Sequence, residues 1–140
     1  MKKVFLTAFI LISIAYAQKM KYVVGYCTIQ GVNGAKDTVF NGSSGSITVM
    51  VDLDAKTANF DWKTPEYNTI KKYTITESTT KKEAIYTTMG VYSILLKCKN
   101  KNDKDCPIEI AINERIGKAD FVVVDGSFVL TYNAVAVELN

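Results

Sequence analysis

Between residues 46 and 62 the chain alternates apolar and polar side chains almost without a break. Ile47, Val49, Val51 and Leu53 take one parity, and Ser46, Thr48, Met50 and Asp52 the other. Successive strand residues point to opposite faces, so a period of two marks a strand with one buried face. Asp54, Ala55 and Lys56 turn the chain, and Ala58, Phe60 and Trp62 carry the apolar parity back along the return strand. This hairpin puts the only tryptophan on its inner face.

A second hairpin is predicted over residues 91–113. Tyr92, Ile94, Leu96 and Cys98 share one face of the first arm, and Cys106, Ile108, Ile110 and Ile112 share one face of the second. The connecting loop, 99–105, is hydrophilic and rich in lysine. Residues opposite one another on paired strands lie on the same side of the sheet with Cβ atoms ~4.5–5.5 Å apart. That is close to bridging distance, so Cys98 and Cys106 are expected to form a disulfide inside a barrel or sandwich. So short a ring would add about 2.5 kcal/mol in the chain-entropy model. Cys27 is then left as a small buried apolar residue.

The remaining stretches read less cleanly. Residues 19–30 form a strand in which both faces are apolar, with Gly25 hinting at a bulge. Residues 31–45 carry four glycines and two asparagines, and are expected to form a long loop around a short apolar island at Thr38, Val39 and Phe40. Strands are predicted at 69–77 and, more weakly, at 83–89, with a polar turn at 78–82 between them. Tyr73 and Ile75 are placed inward. Residues 113–118 offer the one plausible helical turn, ended by Gly117. Two strands joined at Asp125-Gly126 close the chain. An apparent change of apolar parity from Phe128, Leu130 and Tyr132 to Val135, Val137 and Leu139 suggests a bulge near Asn133.

About eight or nine strands with mostly short connections predict an all-β fold, a single antiparallel barrel or a two-sheet sandwich, hairpin-connected. The N-terminus is set apart from it. Met1-Lys2-Lys3, an apolar run over 4–14 and Ala15-Tyr16-Ala17 make the three parts of a cleaved signal peptide, residues 1–17. The apolar run of ~11 residues falls short of the roughly 20 needed to span a bilayer. The expectation is therefore a single domain over residues 18–140, exported to a periplasmic or extracellular space, with no membrane insertion after cleavage.

Composition removes several chemistries. The chain has no histidine, which excludes Ser-His-Asp and Cys-His catalysis and histidine zinc motifs. The formal charge of +3 includes Lys2 and Lys3, so the mature chain stands near +1, which argues against nucleic acid as a partner. Arg115 is the only arginine, so no bidentate anion cluster can form. The 99–105 loop holds Asn100, Asn102, Asp103 and Asp105, but interleaved lysines and the lack of a central glycine argue against calcium. Asp52, Asp54 and Asp61 gather near one hairpin and read as exposed acids. Asn41-Gly42-Ser43 fits a glycosylation sequon, but the short leader has a bacterial look. No metal or cofactor is expected, and no enzymatic activity. What remains is an exported binding protein. Phe40, Phe60, Trp62, Tyr73 and Tyr92 are the candidate contacts for a small apolar or amphipathic ligand, with loop 31–45 at the mouth. The alternative is an inhibitor or interaction protein that meets a protein partner through exposed loops or an edge strand.

Overall fold

The computed structural model describes residues 19–31, 34–82 and 89–137. The leader and most of the weak strand expected at 83–89 lie outside the described residues. Nine strands follow one another: β1 (Lys19–Gln30), β2 (Lys36–Phe40), β3 (Ser46–Asp52), β4 (Thr57–Lys63), β5 (Asn68–Lys81), β6 (Val91–Lys99), β7 (Ile108–Asn113), β8 (Lys118–Asp125) and β9 (Phe128–Ala136). Every pairing is antiparallel, and β1 pairs with β9 as well as with β3, so eight strands close into a barrel with β2 as one extra strand. No helix is present among the described residues. The barrel form of the expected fold is therefore the one adopted.

Local chemistry explains each element. The β3–β4 hairpin has the register its alternation dictates, with Val49 opposite Phe60 and Ile47 opposite Trp62. In the β6–β7 hairpin, Ile94 faces Ile110 and Leu96 faces Ile108. β8 and β9 are joined by Gly126 and Ser127, one position later than the expected turn. Gly126 has φ 62°, as a tight two-residue hairpin demands at that place.

β1 resolves the ambiguity of its two apolar faces. Tyr22 and Val24 are buried, the register slips between Val24 and Tyr26, and Cys27 is buried beyond the slip. The bulge at Gly25 switches which parity faces inward, so both sets of apolar residues reach the core in turn. The bulge expected on β9 is thus on its partner: Asn133 pairs with Tyr26, and Leu130, Tyr132 and Ala134 keep one inward parity throughout. Phe128 shares their parity at the rim of the barrel and Val135 points outward; both are about half exposed.

Three further expectations are corrected. Residues 36–40 form β2 on the outer half of β1, so 31–45 is a strand between two short connections. β5 runs through the supposed polar turn at 78–81, because its threonines and lysine pair with β6. Residues 114–117 form a turn without helix, held by Glu114 N–H donating to Gly90 O at 2.8 Å.

The interior is filled by its own side chains, as small barrels usually are. Phe60 stands at the centre, with ring centroids 5.7 Å from Tyr73, 5.9 Å from Phe121 and 4.6 Å from Tyr132. No helix among the described residues is long and apolar enough to cross a membrane.

Candidate functional site

One end of the barrel carries the connections 31–35, 41–45, 64–67 and 100–107 and the Gly126 turn. This loop-bearing mouth brings Tyr73, Asn100, Cys106 and Asp125 together.

β5 is the element that opens it. Its pairing with β6 begins only at Thr74 opposite Lys99, while Asn68–Lys63 marks the far end of its pairing with β4. Residues 69–73 therefore project past β6 with no strand on that side. Asn100, Lys101 and Asn102 of the β6–β7 loop and Asp125 at the end of β8 form the facing wall of a cleft of about 350 Å³. Lys71 sits opposite Phe60 in the ladder, so its side chain shares the inward face with Phe60 and Tyr73. It is half-buried, and it acts electrostatically on both Asp125 and the buried Cys27.

Asp125 has the parity of Val123 and so also turns inward. Its Oδ2 accepts from the Tyr73 hydroxyl at 2.9 Å, and its Oδ1 accepts from Asn100 Nδ2 at 3.3 Å and from the Cys106 thiol at 3.4 Å. Burial pushes its pKa up, but those three donors and the Lys71 charge together hold it below the usual carboxylate value. Burial and the Asp125 bond push the Tyr73 phenol well above its ordinary range.

The cysteines depart from expectation. The β6–β7 register does bring Cys98 and Cys106 level, and Cys106 N–H donates to Cys98 O at 2.8 Å. All three cysteines are nevertheless free thiols. Cys106 lies in the connection before β7, not within the strand, and its sulfur is turned to Asp125, so the expected bridge is not formed. Burial pushes the Cys27 and Cys98 thiols up to about 12, and burial with the Asp125 bond pushes Cys106 to about 11. None is an activated nucleophile.

Below the mouth lie two buried polar atoms without a hydrogen-bond partner, Trp62 Nε1 and Tyr132 Oη. The Tyr132 hydroxyl is pushed up in pKa by burial and by Cys27, Tyr73 and Asp125, which places it in the same polar group. The indole of Trp62 partly offsets that rise, yet the two meet without good hydrogen-bond geometry. Trp62 in turn packs edge-on against Tyr67, at 5.7 Å between centroids. Tyr67 and Phe40 line a second cleft of about 290 Å³, between 38–44 and 64–67. Thr64 shapes that loop by accepting from Tyr67 N–H at 3.0 Å.

Of the five aromatic residues expected at a ligand site, Phe40, Trp62 and Tyr73 sit at or just beneath the mouth. Phe60 is fully buried among other rings and offers no free surface. Tyr92 is at the opposite end, paired with Ile112, its ring 4.8 Å from Lys82 Nζ. Burial and the neighbouring Glu114 carboxylate push its phenol up. Sequence reading missed Lys71 and Asp125. The signal was present: Lys71 has the parity of Tyr73 and Ile75, and Asp125 that of Phe121 and Val123. No group of acids and thiols among the described residues is arranged to hold a metal ion. The chain matches no family model, no curated protein and no solved structure.

Proposed function

We propose that the protein is a non-enzymatic binding module, acting in a periplasmic or extracellular compartment, that takes a small amphipathic ligand at the loop-bearing mouth of its barrel. The observation that carries this reading is the pair of open clefts at that mouth, one lined by Ile70, Lys71, Tyr73 and Asp125 and the other by Phe40, Pro65 and Tyr67, each setting apolar surface beside polar groups. Small-ligand sites are concave and combine apolar walls with a few convergent polar groups. The ligand sits in the clefts and not in the barrel, whose centre Phe60, Phe121 and Tyr132 already fill.

Native mass spectrometry of freshly purified protein tests the reading. The expected result is an added mass that is lost on denaturation and weakened by Tyr67→Ala. A single unadorned mass, unchanged on incubation with amphipathic small molecules, would overturn it.

A second reading rests on β2. This five-residue strand pairs only with β1, so its outer edge is open among the described residues. An open edge can accept an extended segment of a partner protein. A binding partner whose capture is abolished by Val39→Pro, with the fold retained, would favour this reading.

A further inference from the structure

We infer that the ligand of the larger cleft carries a carboxylate on an apolar tail, with the acid group held by Lys71 and Lys101 and the tail lying on Ile70. This inference rests on the small-ligand reading above and names its chemistry.

The charge balance of the cleft points to an anion. Lys71, Lys72 and Lys101 line it together with a single carboxylate, Asp125. Asp125 is already engaged by Tyr73, Asn100 and Cys106. None of the three lysines is in an ion pair among the described residues; the pairs present are Lys63–Asp61, Lys97–Glu77 and Lys99–Asp105. Two positive charges in the cleft are thus left uncompensated. Lys71 is the significant one. It is inward-facing and half-buried, so it has given up part of its hydration without gaining a salt-bridge partner.

Neutral donors extend the same preference. Asn102 and Thr69 line the cleft, and residues 69–73 run along an edge of β5 that lacks a neighbouring strand. Lysines act as point charges without the planar fork of arginine, which suits a lone carboxylate with no demand for bidentate geometry. The tail has a place as well. Ile70 lines the cleft from the outer face of the open β5 edge, next to Lys72, and is 48% exposed, so a tail can cross that edge from an acid group held at Lys71. The cleft volume, about 350 Å³, is at the low end of ligand sites, ~300–1,000 Å³, which fits a short-chain acid.

The test titrates the mature protein calorimetrically with sodium octanoate, 1-octanol and inorganic phosphate. Octanoate is expected to bind, and octanol to bind at least tenfold more weakly. Lys71→Gln should weaken octanoate about tenfold and Lys101→Gln, more exposed, about two- to threefold. Lys97→Gln, the same charge removed from the wall, should leave octanoate affinity as it is. Circular dichroism confirms that each variant folds. Octanol binding as tightly as octanoate overturns the acid assignment and leaves the small-ligand reading standing. So does octanoate binding that ignores Lys71→Gln. Phosphate competing as well as octanoate overturns the tail. Binding of neither octanoate nor octanol removes this inference while other amphipathic ligands still decide the broader reading by mass spectrometry.

Discussion

The Tyr73 hydroxyl donates to Asp125 Oδ2 at 2.9 Å, joining β5 to the end of β8 across 52 positions of sequence. Three donors converge on this carboxylate at the rim. Asp125→Asn should destabilise the fold by about 1–2 kcal/mol at neutral pH, allowing for solvent screening at the mouth. Its pKa in the fold lies below the ordinary 3.8. The charge-dependent stabilisation is therefore complete above the unfolded value and is lost as pH falls through the folded one. Urea unfolding of both proteins between pH 7 and pH 2.5 should show the gap closing only at the acid end. A gap that is constant with pH would mean that the charge plays no part.

Gly45 tests a close approach of backbone to backbone. A Cβ there would overlap the Lys63 carbonyl oxygen, and the residue has φ 80°. Gly34 has a similar φ of 77° with nothing within 4 Å of its Cβ position. Gly34→Ala should cost about 1–2 kcal/mol, the left-handed penalty alone. Gly45→Ala should cost at least ~2 kcal/mol more, as the 41–45 connection is forced off the start of the 64–67 loop. Equal midpoints in a thermal melt would refute the distinction.

Cys27 predicts an alkaline weakness. Its thiol is fully buried and its pKa rises from the ordinary 9.0 to about 12. A group whose folded pKa is raised contributes in full below the unfolded value and loses that contribution as pH rises towards the folded one. Stability should fall from about pH 9 towards pH 12, by up to ~1.4 kcal/mol per pH unit for such a group. Cys27→Ala should flatten part of that fall, measured by denaturant titration at several pH values. An unchanged profile would show that Cys27 does not ionise on unfolding in that range.

The core separates packing from polarity. Phe60→Ala removes a ring in contact with three others and should cost about 3–5 kcal/mol. Tyr132→Phe keeps the ring and removes only an unpartnered hydroxyl, so it should be neutral or stabilising by up to ~1 kcal/mol. A loss of more than ~1 kcal/mol in Tyr132→Phe would reveal a hydrogen bond to the Trp62 indole or to internal water.

Much of this barrel was legible because a half-buried strand writes its two faces into alternate residues. The β3–β4 and β6–β7 hairpins follow directly from Ile47, Val49, Phe60 and Trp62, and from Ile94, Leu96, Ile108 and Ile110. β1 was not legible, since one inserted residue at Gly25 exchanges the faces midway and both then look apolar. The mouth was harder still. Parity alone places Lys71 and Asp125 inward, but a charged residue at a strand end usually faces solvent. Only the position of β8 in the closed barrel, with the β6–β7 loop folded beneath it, sets Asp125 within reach of Tyr73 and Asn100. The disulfide expectation failed for a related reason: opposition along the ladder was right, but Cys106 had a competing partner on another strand.

The β1–β9 seam also governs how the molecule can be made. Its partners are the first and the last of the described strands, so the seam cannot form during synthesis until β9 has emerged. Until then, one side of β1 and the growing end of the sheet are both unpaired and able to join neighbouring chains. A fold closed by contacts so distant in sequence should form slowly for its size. Most of that delay should vanish in a circular permutant that joins the paired ends and opens the chain at the Gly126 turn, since the seam then becomes a local hairpin.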